Sequence, residues 1–406
     1  MSMEYIIKRI DDLCYRITDG AHNSPEECPE GQYPMYSSKD MLYGGFDDTN
    51  IKMISKQDFD RLAAQDCQPL KDDILIIKDG ANYLKYVFRV SEKLNAVILS
   101  SIAILRPNSS VIDADYFTYL LRTNSIRSAM SNYVSGAAIP RIVLKDFKKM
   151  KLRITPSVLK QREIAEKILP IDNLIEVNNK RIKVLEQMAE NLYKEWFVRF
   201  RFPGHETAEF ENGIPKGWVR CKIGDFCTFL NGFPFKSEDY IEDGIYTVVT
   251  IKNVQDGKLD LGNVERINNI PNRMPTYCKL KIGDILMSLT GNVGRVCIVS
   301  EDNCLLNQRV CRIESDYPAF SYSFFRQDAI FQTLCNVAYG TAQLNLSPIL
   351  AGKIKVLLPP VTLRKMYNES LLPFFQQKQK LIDDNRILVR QRDLLLPRLM
   401  SGKLEV

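Results

Sequence analysis

Apolar residues recur every three or four positions along two long stretches of the chain, one in the middle and one at the carboxyl end. In the first stretch the spacing alternates between four and three over more than four heptads, which predicts an amphipathic helix with a coiled-coil stripe. That stripe consists of Ile164, Ile168, Ile171, Ile175, Ile182, Leu185, Ala189, Leu192 and Trp196. The second, less regular stripe consists of Leu371, Phe375, Ile382, Val389, Leu396 and Leu399. The alternative interpretation of each stripe is core packing inside one globular domain.

Each stretch also contains a proline, Pro170 in the first and Pro373 in the second. An interior proline costs a helix roughly 3 kcal/mol. We therefore expect a short helix that ends near Leu169, followed by a longer helix with the proline in its first turn.

The remainder of each half consists of short β-rich runs separated by turn clusters, in the same order in both halves. The runs predict strands at 73–77, 96–99 and 101–105, and again at 246–251, 284–288 and 295–299. Helices are predicted at 115–133 and 322–337. The fold class is therefore α+β, with two similar mixed α/β domains of ordinary size.

Short motifs also recur at a nearly constant offset, which makes the two halves a repeat. Gly136-Ala137-Ala138-Ile139 recurs as Gly340-Thr341-Ala342-Gln343, and Pro156 recurs as Pro360. The repeat predicts pseudo-two-fold symmetry, with two long antiparallel helices separating the domains. Such a protein suits a two-part target, and double-helical DNA is the obvious candidate.

The repeat divides the chain into five segments. They are a first domain at 1–155, a first helical region at 156–201, a linker at 202–217, a second domain at 218–358 and a second helical region at 359–406. The linker is expected to be irregular because it is rich in proline and glycine.

The composition permits this interpretation without requiring it. The chain has 406 residues, of which 45% are hydrophobic, and its formal net charge is +6. No run of like charges forms a basic arm, so the fold must place any phosphate-binding residues locally. No apolar run approaches the ~20 residues that span a bilayer, and no signal peptide is apparent. We expect a soluble cytoplasmic protein without membrane contacts.

Motifs that would indicate an active site are missing from the sequence. It holds ten cysteines without a C-x-x-C pair and only two histidines, so a zinc site is not expected and the cysteines read as reduced core residues. It has no phosphate loop, dinucleotide fingerprint, nucleophile elbow or Asn-Pro-Pro-aromatic tetrad. Gly291-Asn292-Val293-Gly294 resembles half of a nucleotide loop, but its place between two strands favours a hairpin turn. No catalytic residue and no metal ligand is predicted.

Amide-rich and basic loops do recur at corresponding places in the two halves. Asn and Gln side chains can bond bidentately to adenine, and Arg or Lys to guanine. For any single residue a solvated turn is the alternative. The predicted DNA contacts are His22, Asn23, Lys39, Asn82, Lys85 and Arg141 in the first half, and Lys236, Lys252, Asn253, Asn292, Gln343 and Asn345 in the second.

Several stretches resemble the specificity subunit of type I restriction-modification enzymes. They are Leu159-Lys160-Gln161-Arg162-Glu163-Ile164-Ala165, the run 192–200 from Leu to Phe, Asn231-Gly232-Phe233-Pro234-Phe235-Lys236-Ser237, Gly283-Asp284-Ile285-Leu286, and the tail 395–404. Each motif alone has low specificity, but their order together with the repeat is specific. The resemblance covers nearly the whole chain. It implies two target recognition domains, each reading half of a split DNA sequence, with paired helices acting as a ruler.

The resemblance also implies partners and a division of chemistry. This chain would be a non-catalytic reader that docks two methyltransferase subunits, and through them restriction (motor-nuclease) subunits. S-adenosylmethionine, ATP and Mg²⁺ would then belong to those partners, and this chain would hold no cofactor. The helix residues expected at the docking surface are Ile164, Ile168, Ile175, Ile182, Leu185, Leu192, Trp196, Ile382, Val389 and Leu396.

Two departures qualify what the resemblance implies. The second helix begins Val361-Thr362-Leu363-Arg364-Lys365-Met366 and lacks the Gln-Arg-Glu-Ile-Ala form of the first, so docking there is expected to differ in detail. The first domain carries Lys78-Asp79-Gly80-Ala81-Asn82 where the second carries Ser288-Leu289-Thr290-Gly291-Asn292. The two domains should therefore read different half-sequences, which makes the target asymmetric.

Two functions of other classes stay open at this point. One is a coiled-coil scaffold or adaptor that binds protein partners and no DNA, which the modest net charge favours. The other is an enzyme with an unrecognised site, which the scarcity of histidine disfavours.

Overall fold

A computed structural model describes residues 4–48, 50–80, 83–132, 134–135, 141–340 and 344–404. The chain forms two compact units. Unit 1 comprises residues 1–177 together with 385–406, and unit 2 comprises residues 178–384. Each unit therefore combines one mixed α/β domain with segments of both long helices.

The strands that begin in unit 1 are β1 Ile6–Arg9, β2 Cys14–Asp19, β3 Tyr33–Tyr36, β4 Lys52–Ile54, β5 Ile74–Ile77, β6 Val87–Arg89, β7 Val97–Ile98, β8 Ile102–Pro107, β9 Val134–Ser135, β10 Arg141–Ile142 and β11 Lys151–Ile154. Its helices are α1 Ile10–Leu13, α2 Lys56–Ala63, α3 Ala114–Arg122, α4 Asn124–Ser131, α5 Leu144–Phe147 and the long α6 Val158–Tyr193, which continues into unit 2. A π-helical turn, Lys194–Val198, follows α6.

Two sheets form the centre of unit 1. A four-stranded antiparallel sheet has the order β2-β8-β5-β6, and a three-stranded sheet has the order β4-β3-β7 with a parallel β3–β7 pair. Strand β5 is buried along its whole length because the sheet is covered on both faces. The first and last strands of the domain, β1 and β11, pair antiparallel and bring the chain to the start of α6.

The strands of unit 2 are β12 Phe210–Glu211, β13 Ile214–Pro215, β14 Val219–Lys222, β15 Thr228–Asn231, β16 Tyr246–Val249, β17 Val254–Gln255, β18 Lys258–Leu259, β19 Glu265–Ile267, β20 Ile285–Ser288, β21 Val296–Ile298, β22 Cys304–Leu306, β23 Val310–Glu314 and β24 Lys355–Leu358. Its helices are α7 Pro318–Phe325, α8 Asp328–Val337, α9 Pro348–Lys353 and the long α10 Val361–Met400, which ends in unit 1. Short 3-10 turns lie at His205–Thr207, Ile223–Asp225, Ser237–Asp239 and Thr276–Cys278.

The sheets of unit 2 repeat those of unit 1. The four-stranded order is β15-β23-β20-β21, the three-stranded order is β19-β16-β22 with a parallel β16–β22 pair, and β14 pairs with β24. Each strand of these three sheets takes the position of its counterpart in unit 1. The predicted fold class, with two similar mixed α/β domains each followed by a long helix, is confirmed.

The two long helices run antiparallel where they meet inside each unit. In unit 2 the Tyr367 hydroxyl donates to the Ala189 carbonyl oxygen at 3.0 Å, and Lys378 pairs with Glu186. In unit 1 Arg392 pairs with Asp172 at 3.2 Å. Residue numbers therefore fall along α6 as they rise along α10. Among the helices that the structure describes, none combines the length and apolarity needed to cross a bilayer.

The expected helix breaks at the two prolines are wrong, because α6 and α10 each continue through their proline. Pro170 and Pro373 are exposed, as are Glu166 and Glu369, whose carbonyl groups lose their helical partners. Water can reach these carbonyls, which reduces the penalty of an interior proline. The free energy gained by burying the neighbouring Ile168 and Leu371 then outweighs the proline penalty.

Most other predicted elements are present with small differences. All six predicted strands appear within the predicted ranges or extend slightly past them. The predicted helix 115–133 is two helices, α3 and α4, because Thr123 adopts an extended backbone between them. The predicted helix 322–337 is likewise divided into α7 and α8. The linker 202–217 holds a short hairpin, β12 with β13, where irregular structure was expected.

Candidate nucleic-acid interface

Five backbone segments meet at one end of the four-stranded sheet in unit 1. We call residues 20–23, 36–39, 78–80, 98–101 and 141–142 rim 1. Backbone amides join them: Ala21 donates to Ile98, Lys78 to Ser101, and Ile142 to Lys78, at 2.8 to 3.0 Å. Leu99 also donates to the Tyr36 carbonyl at 2.8 Å. Segments that are distant in the sequence thus form one connected edge.

The corresponding end of unit 2 has the same construction. We call residues 231–236, 249–253, 288–292, 306–310 and 344–346 rim 2. Here Phe233 donates to Leu306 at 2.9 Å, Leu289 to Arg309 at 2.9 Å, Leu346 to Leu289 at 2.7 Å, and Asn307 to Val249 at 3.2 Å. These four hydrogen bonds match the four of rim 1 one for one. The correspondence identifies equivalent positions that the sequence alone does not align.

The first segment of each rim contains a glycine, and close packing explains it. A Cβ atom on Gly20 would lie 2.1 Å from the carbonyl oxygen of Ile98, and one on Gly232 would lie 2.1 Å from that of Asn307. Any larger residue would separate the segments. The glycines therefore permit the close backbone approach on which both rims depend.

Lys39 and Lys252 occupy equivalent positions on equivalent turns. In rim 1 the Asp40 carboxylate accepts from the Ser37 amide at 2.8 Å and from its hydroxyl at 2.7 Å. In rim 2 the Asn253 amide oxygen accepts from the Thr250 amide and hydroxyl, both at 2.9 Å. Lys39 precedes Asp40 and Lys252 precedes Asn253, and both lysines are exposed.

The same geometry corrects the prediction that Asn253 contacts DNA. Asn253 is 2% exposed, and its amide nitrogen donates to the carbonyl oxygens of Asp260 at 2.9 Å and Asn263 at 3.0 Å. Both ends of the amide are thus engaged inside the protein. Asn253 holds the turn that presents Lys252.

The other predicted contacts in unit 1 lie in rim 1 or next to it. His22 and Asn23 are exposed, and the His22 Nε2 lies 3.3 Å from Asp19. The Arg141 side chain is 53% exposed, with its Nε 3.5 Å from Asp79. Lys85 lies in the turn that follows rim 1 and is exposed, with its ammonium 5.2 Å from the Tyr86 ring centre. Asn82 lies outside the described residues.

Besides Lys252 and Asn253, three predicted contacts in unit 2 lie in rim 2. Lys236 and Asn292 are exposed, and Lys236 pairs with Glu238 at 3.0 Å. Asn345 is half-buried, and its amide oxygen accepts from the Thr290 hydroxyl at 3.1 Å. Gln343 lies outside the described residues. The hairpin turn expected at 291–294 is confirmed, with Gly291 and Gly294 at positive φ.

The segment of rim 2 between β22 and β23 carries two exposed polar side chains that the prediction missed. Gln308 and Arg309 are exposed on the segment between β22 and β23. They lie at the positions of Ser100 and Ser101 in rim 1. The polar run Asn307-Gln308-Arg309 marks this loop in the sequence, but only the pairing with Phe233 and Leu289 places it in the rim.

Rim 1 has a buried charge that rim 2 lacks. The Lys78 ammonium lies 3.0 Å from Asp79 and 3.3 Å from Asp19, and the Lys78 side chain is 3% exposed. The equivalent residue in rim 2 is Leu289, which is 4% exposed. A buried ammonium needs compensating charge, which the two carboxylates supply.

The predicted docking residues on the helices require a correction, because none of the ten is exposed. Ile164, Ile168 and Leu396 belong to the core of unit 1, and Trp196 belongs to that of unit 2. Ile175 is buried, and the rest are half-buried; these are Ile182, Leu185, Leu192, Ile382 and Val389. Five of the ten are thus buried inside the chain and the other five are only partly accessible, so these residues do not form an exposed surface.

Exposed apolar side chains on the same helices form a different set. In unit 1 they are Leu159, Leu174, Val177, Ile387 and Leu394, each between 47% and 71% exposed. In unit 2 they are Val184, Met188, Val361, Met366 and Leu372, between 40% and 54% exposed.

The cysteines and acidic residues form no metal site among the residues that the structure describes. All ten cysteines are free thiols, and six of them are buried. Burial raises the pKa of Cys297 and of Cys311 to about 12, so these thiols stay protonated at neutral pH.

The fold and the rims define a class of protein with two domains. The domains share one topology, but they carry different polar side chains on equivalent backbone segments. Comparison with known families then identifies it. The family model described as the type I restriction modification DNA specificity domain matches residues 3–187 and 215–387, which is more than half of the chain. The chain belongs to this family, and its role in a type I restriction-modification system is DNA recognition, not catalysis.

Individual relatives agree with this assignment. The specificity subunit of the type I restriction enzyme MjaVIII from Methanocaldococcus jannaschii is 24% identical, over 93% of this chain and 87% of the relative. That of the HindI enzyme from Haemophilus influenzae is 21% identical, over 82% of this chain and 87% of the relative. The crystal structure of an S subunit from M. genitalium has a TM-score of 0.54 and 18% identity, covering 98% of this chain and 96% of that one. At that identity the likeness supports the fold alone.

Proposed function

We propose that rim 1 and rim 2 each read one half of a two-part DNA sequence in the major groove, and that the two half-sequences differ. The observation that carries this proposal is the matched set of backbone hydrogen bonds in the two rims. The same frame presents His22, Asn23 and Arg141 in one unit and Gln308, Asn292 and Asn345 in the other. Different donors and acceptors on one frame select different base edges.

Lys39 and Lys252 serve a different purpose in this proposal. Their identity and equivalent placement favour a contact that both half-sites share, which is the phosphate backbone. A phosphate contact positions the protein and adds salt dependence without selecting bases.

In this proposal the chain works in a complex with two methyltransferase subunits and, through them, restriction subunits. Those partners would hold S-adenosylmethionine, ATP and Mg²⁺, and the complex would work in the cytoplasm. Each unit carries its own exposed apolar set on the helices, which suits one methyltransferase subunit per unit. Met188→Glu should weaken capture of the methyltransferase subunit, whereas Lys93→Glu, on a loop of the first domain, should not.

The test of half-site reading is adenine methylation of a random-sequence DNA library by the full chain with its methyltransferase partner and S-adenosylmethionine. Sequencing of the modified sites should give a bipartite, asymmetric motif. Asn292→Ala should relax one half of that motif, and His22→Ala the other half. A wild-type complex that methylates without sequence preference, or that binds no DNA even at low salt, would favour the protein-only scaffold.

Salt titration separates the two kinds of contact. Lys39→Ala and Lys252→Ala should each weaken binding equally on all sequences and reduce the salt slope by about one. Asn292→Ala should change the preferred sequence and leave that slope unchanged. A lysine variant with an altered motif would contradict the assignment to phosphate.

A further inference from the structure

We infer that Arg141 and Asn345 are the specificity-determining residues at one equivalent position of the two half-sites, and that they read guanine and adenine respectively. This inference rests on the proposed function and adds the bases selected. It starts from the backbone. Asp79 forms a β-bridge with Arg141 in unit 1, and Thr290 forms the equivalent β-bridge with Asn345 in unit 2.

An equivalent backbone hydrogen bond next to the bridge fixes it in each unit. Ile142 donates to Lys78 at 2.9 Å, and Leu346 donates to Leu289 at 2.7 Å. Arg141 and Asn345 therefore precede equivalent residues and leave the frame at the same point. Each is partly accessible, since Arg141 is 53% exposed and Asn345 is half-buried.

In unit 2 the partner of Asn345 orients its amide. The Thr290 hydroxyl donates to the Asn345 Oδ1 at 3.1 Å, which sets the oxygen toward Thr290 and the Nδ2 group away from it. An amide oxygen has two lone pairs, so Oδ1 keeps one acceptor site. A fixed acceptor beside a fixed donor matches the N6 and N7 groups of adenine.

In unit 1 a charged network lies beside Arg141. Asp79 Oδ1 lies 3.5 Å from the inner Nε nitrogen of Arg141, and Asp79 Oδ2 lies 3.0 Å from the Lys78 ammonium. Lys78 is in turn held by Asp19 at 3.3 Å. The Asp79 carboxylate lies on the inner side of the Arg141 guanidinium, whose planar fork of donors matches the O6 and N7 acceptors of guanine.

Lys78 is a positioning residue in this scheme. It touches no base, but it fixes and neutralises the Asp79 carboxylate that lies beside Arg141. Unit 2 uses a neutral pair, Thr290 with Asn345, and there the equivalent of Lys78 is the apolar Leu289. The buried lysine therefore accompanies the arginine, which explains why only one rim contains it.

The test is the library methylation assay with three variants of the full chain in its methyltransferase complex. Arg141→Asn should reduce the preference for guanine at one position by about 5- to 150-fold, the range for one bidentate contact, and leave the other half of the motif unchanged. Asn345→Arg should do the same for adenine in the other half. The triple variant K78L/D79T/R141N copies the unit 2 set and should select adenine where the wild type selects guanine.

The matched control is Lys93→Asn, which removes one positive charge from unit 1. Lys93 is exposed on the loop after β6, at the end of the sheet opposite rim 1, since Val90 pairs with Asp73 at the start of β5. This variant should keep the wild-type motif.

Two results would overturn the inference. One is a wild-type motif that survives Arg141→Asn and Asn345→Arg at every position. The other is a change in the same half of the motif by both variants. A wild-type complex without any bipartite motif would instead refute the proposed function itself. If the triple variant does not fold, the motifs of Arg141→Asn and Asn345→Arg alone test the inference.

Discussion

Arg392 donates to the Asp172 carboxylate at 3.2 Å, although the two residues are 220 positions apart in the chain. The other oxygen of Asp172 accepts from Arg122 at 2.7 Å, and Tyr43 stacks against both guanidinium groups. The side chains of both arginines are less than 10% exposed. One carboxylate therefore joins the first domain to the first half of α6 and to the last third of α10.

Asp172→Ala should strongly destabilise unit 1. It leaves the buried Arg122 guanidinium without a carboxylate and leaves Arg392 with Asp393 alone, and breaking such a buried pair costs about 3–5 kcal/mol. Urea unfolding of the purified chain measures the change. Glu163→Ala is the control, because Glu163 pairs with Lys160 on the exposed surface of the same helix, and an exposed pair contributes about 0–1 kcal/mol. Equal effects of the two substitutions would show that the buried cluster has no special role.

Two leucines on α10 provide a second comparison. Leu396 is 5% exposed and belongs to the core of unit 1, whereas Leu394 is 55% exposed. Leu396→Ala should cost about 2–5 kcal/mol because it leaves a cavity. Leu394→Ala should change the free energy of unfolding by less than about 0.5 kcal/mol. Hydrogen exchange should show faster opening of β5 and α3 only in the Leu396 variant.

Gly20→Ala should disturb rim 1 directly. The new Cβ would meet the Ile98 carbonyl at 2.1 Å, so the two segments must move apart. We expect loss of recognition of the half-site read by unit 1, with the other half-site retained, in the library methylation assay. Gly44→Ala is the matched control, since a Cβ there meets nothing within 4 Å. If the Gly20 variant recognises both half-sites as before, DNA reading does not depend on the geometry of rim 1.

The buried thiols make stability depend on pH in the alkaline range. Burial raises the pKa of Cys297 and of Cys311 to about 12 from the ordinary 9.0, so above pH 9 the unfolded chain binds fewer protons than the folded one. Their contribution is complete below pH 9 and is lost as the pH rises toward 12. The melting temperature should fall between pH 8 and pH 10.5, and C297A/C311A should flatten that fall. Cys28→Ala, at a half-exposed thiol, should leave the slope as it is.

Local patterns were enough to predict the strands, the long helices and the duplicated fold. They could not show what each helix face contacts. The four-three spacing of Ile164 and Ile168 is the same whether the side chains meet a partner or the domain of their own chain. Pro170 was expected to end a helix because its cost is local and visible in the sequence. The burial that outweighs it comes from residues far along the chain.

The site was predictable at the level of loops and not of single residues. Lys252 and Asn253 are neighbours of similar polarity, yet one is exposed and the other is enclosed. The difference comes from Asp260 and Asn263, whose carbonyl oxygens capture the Asn253 amide. Gln308 and Arg309 were missed because their place in rim 2 depends on pairing with Phe233 and Leu289. Contacts between distant segments decide these roles, and spacing does not encode them.

The core of unit 1 contains Leu396, Leu399 and Met400 beside side chains from the first third of the chain. A ribosome that has synthesised the whole first domain has therefore not yet made the residues that close its interior. During translation that domain must wait, with part of its apolar surface uncovered, until Leu396, Leu399 and Met400 have been synthesised. The first domain therefore completes its interior only after the whole second domain has been made.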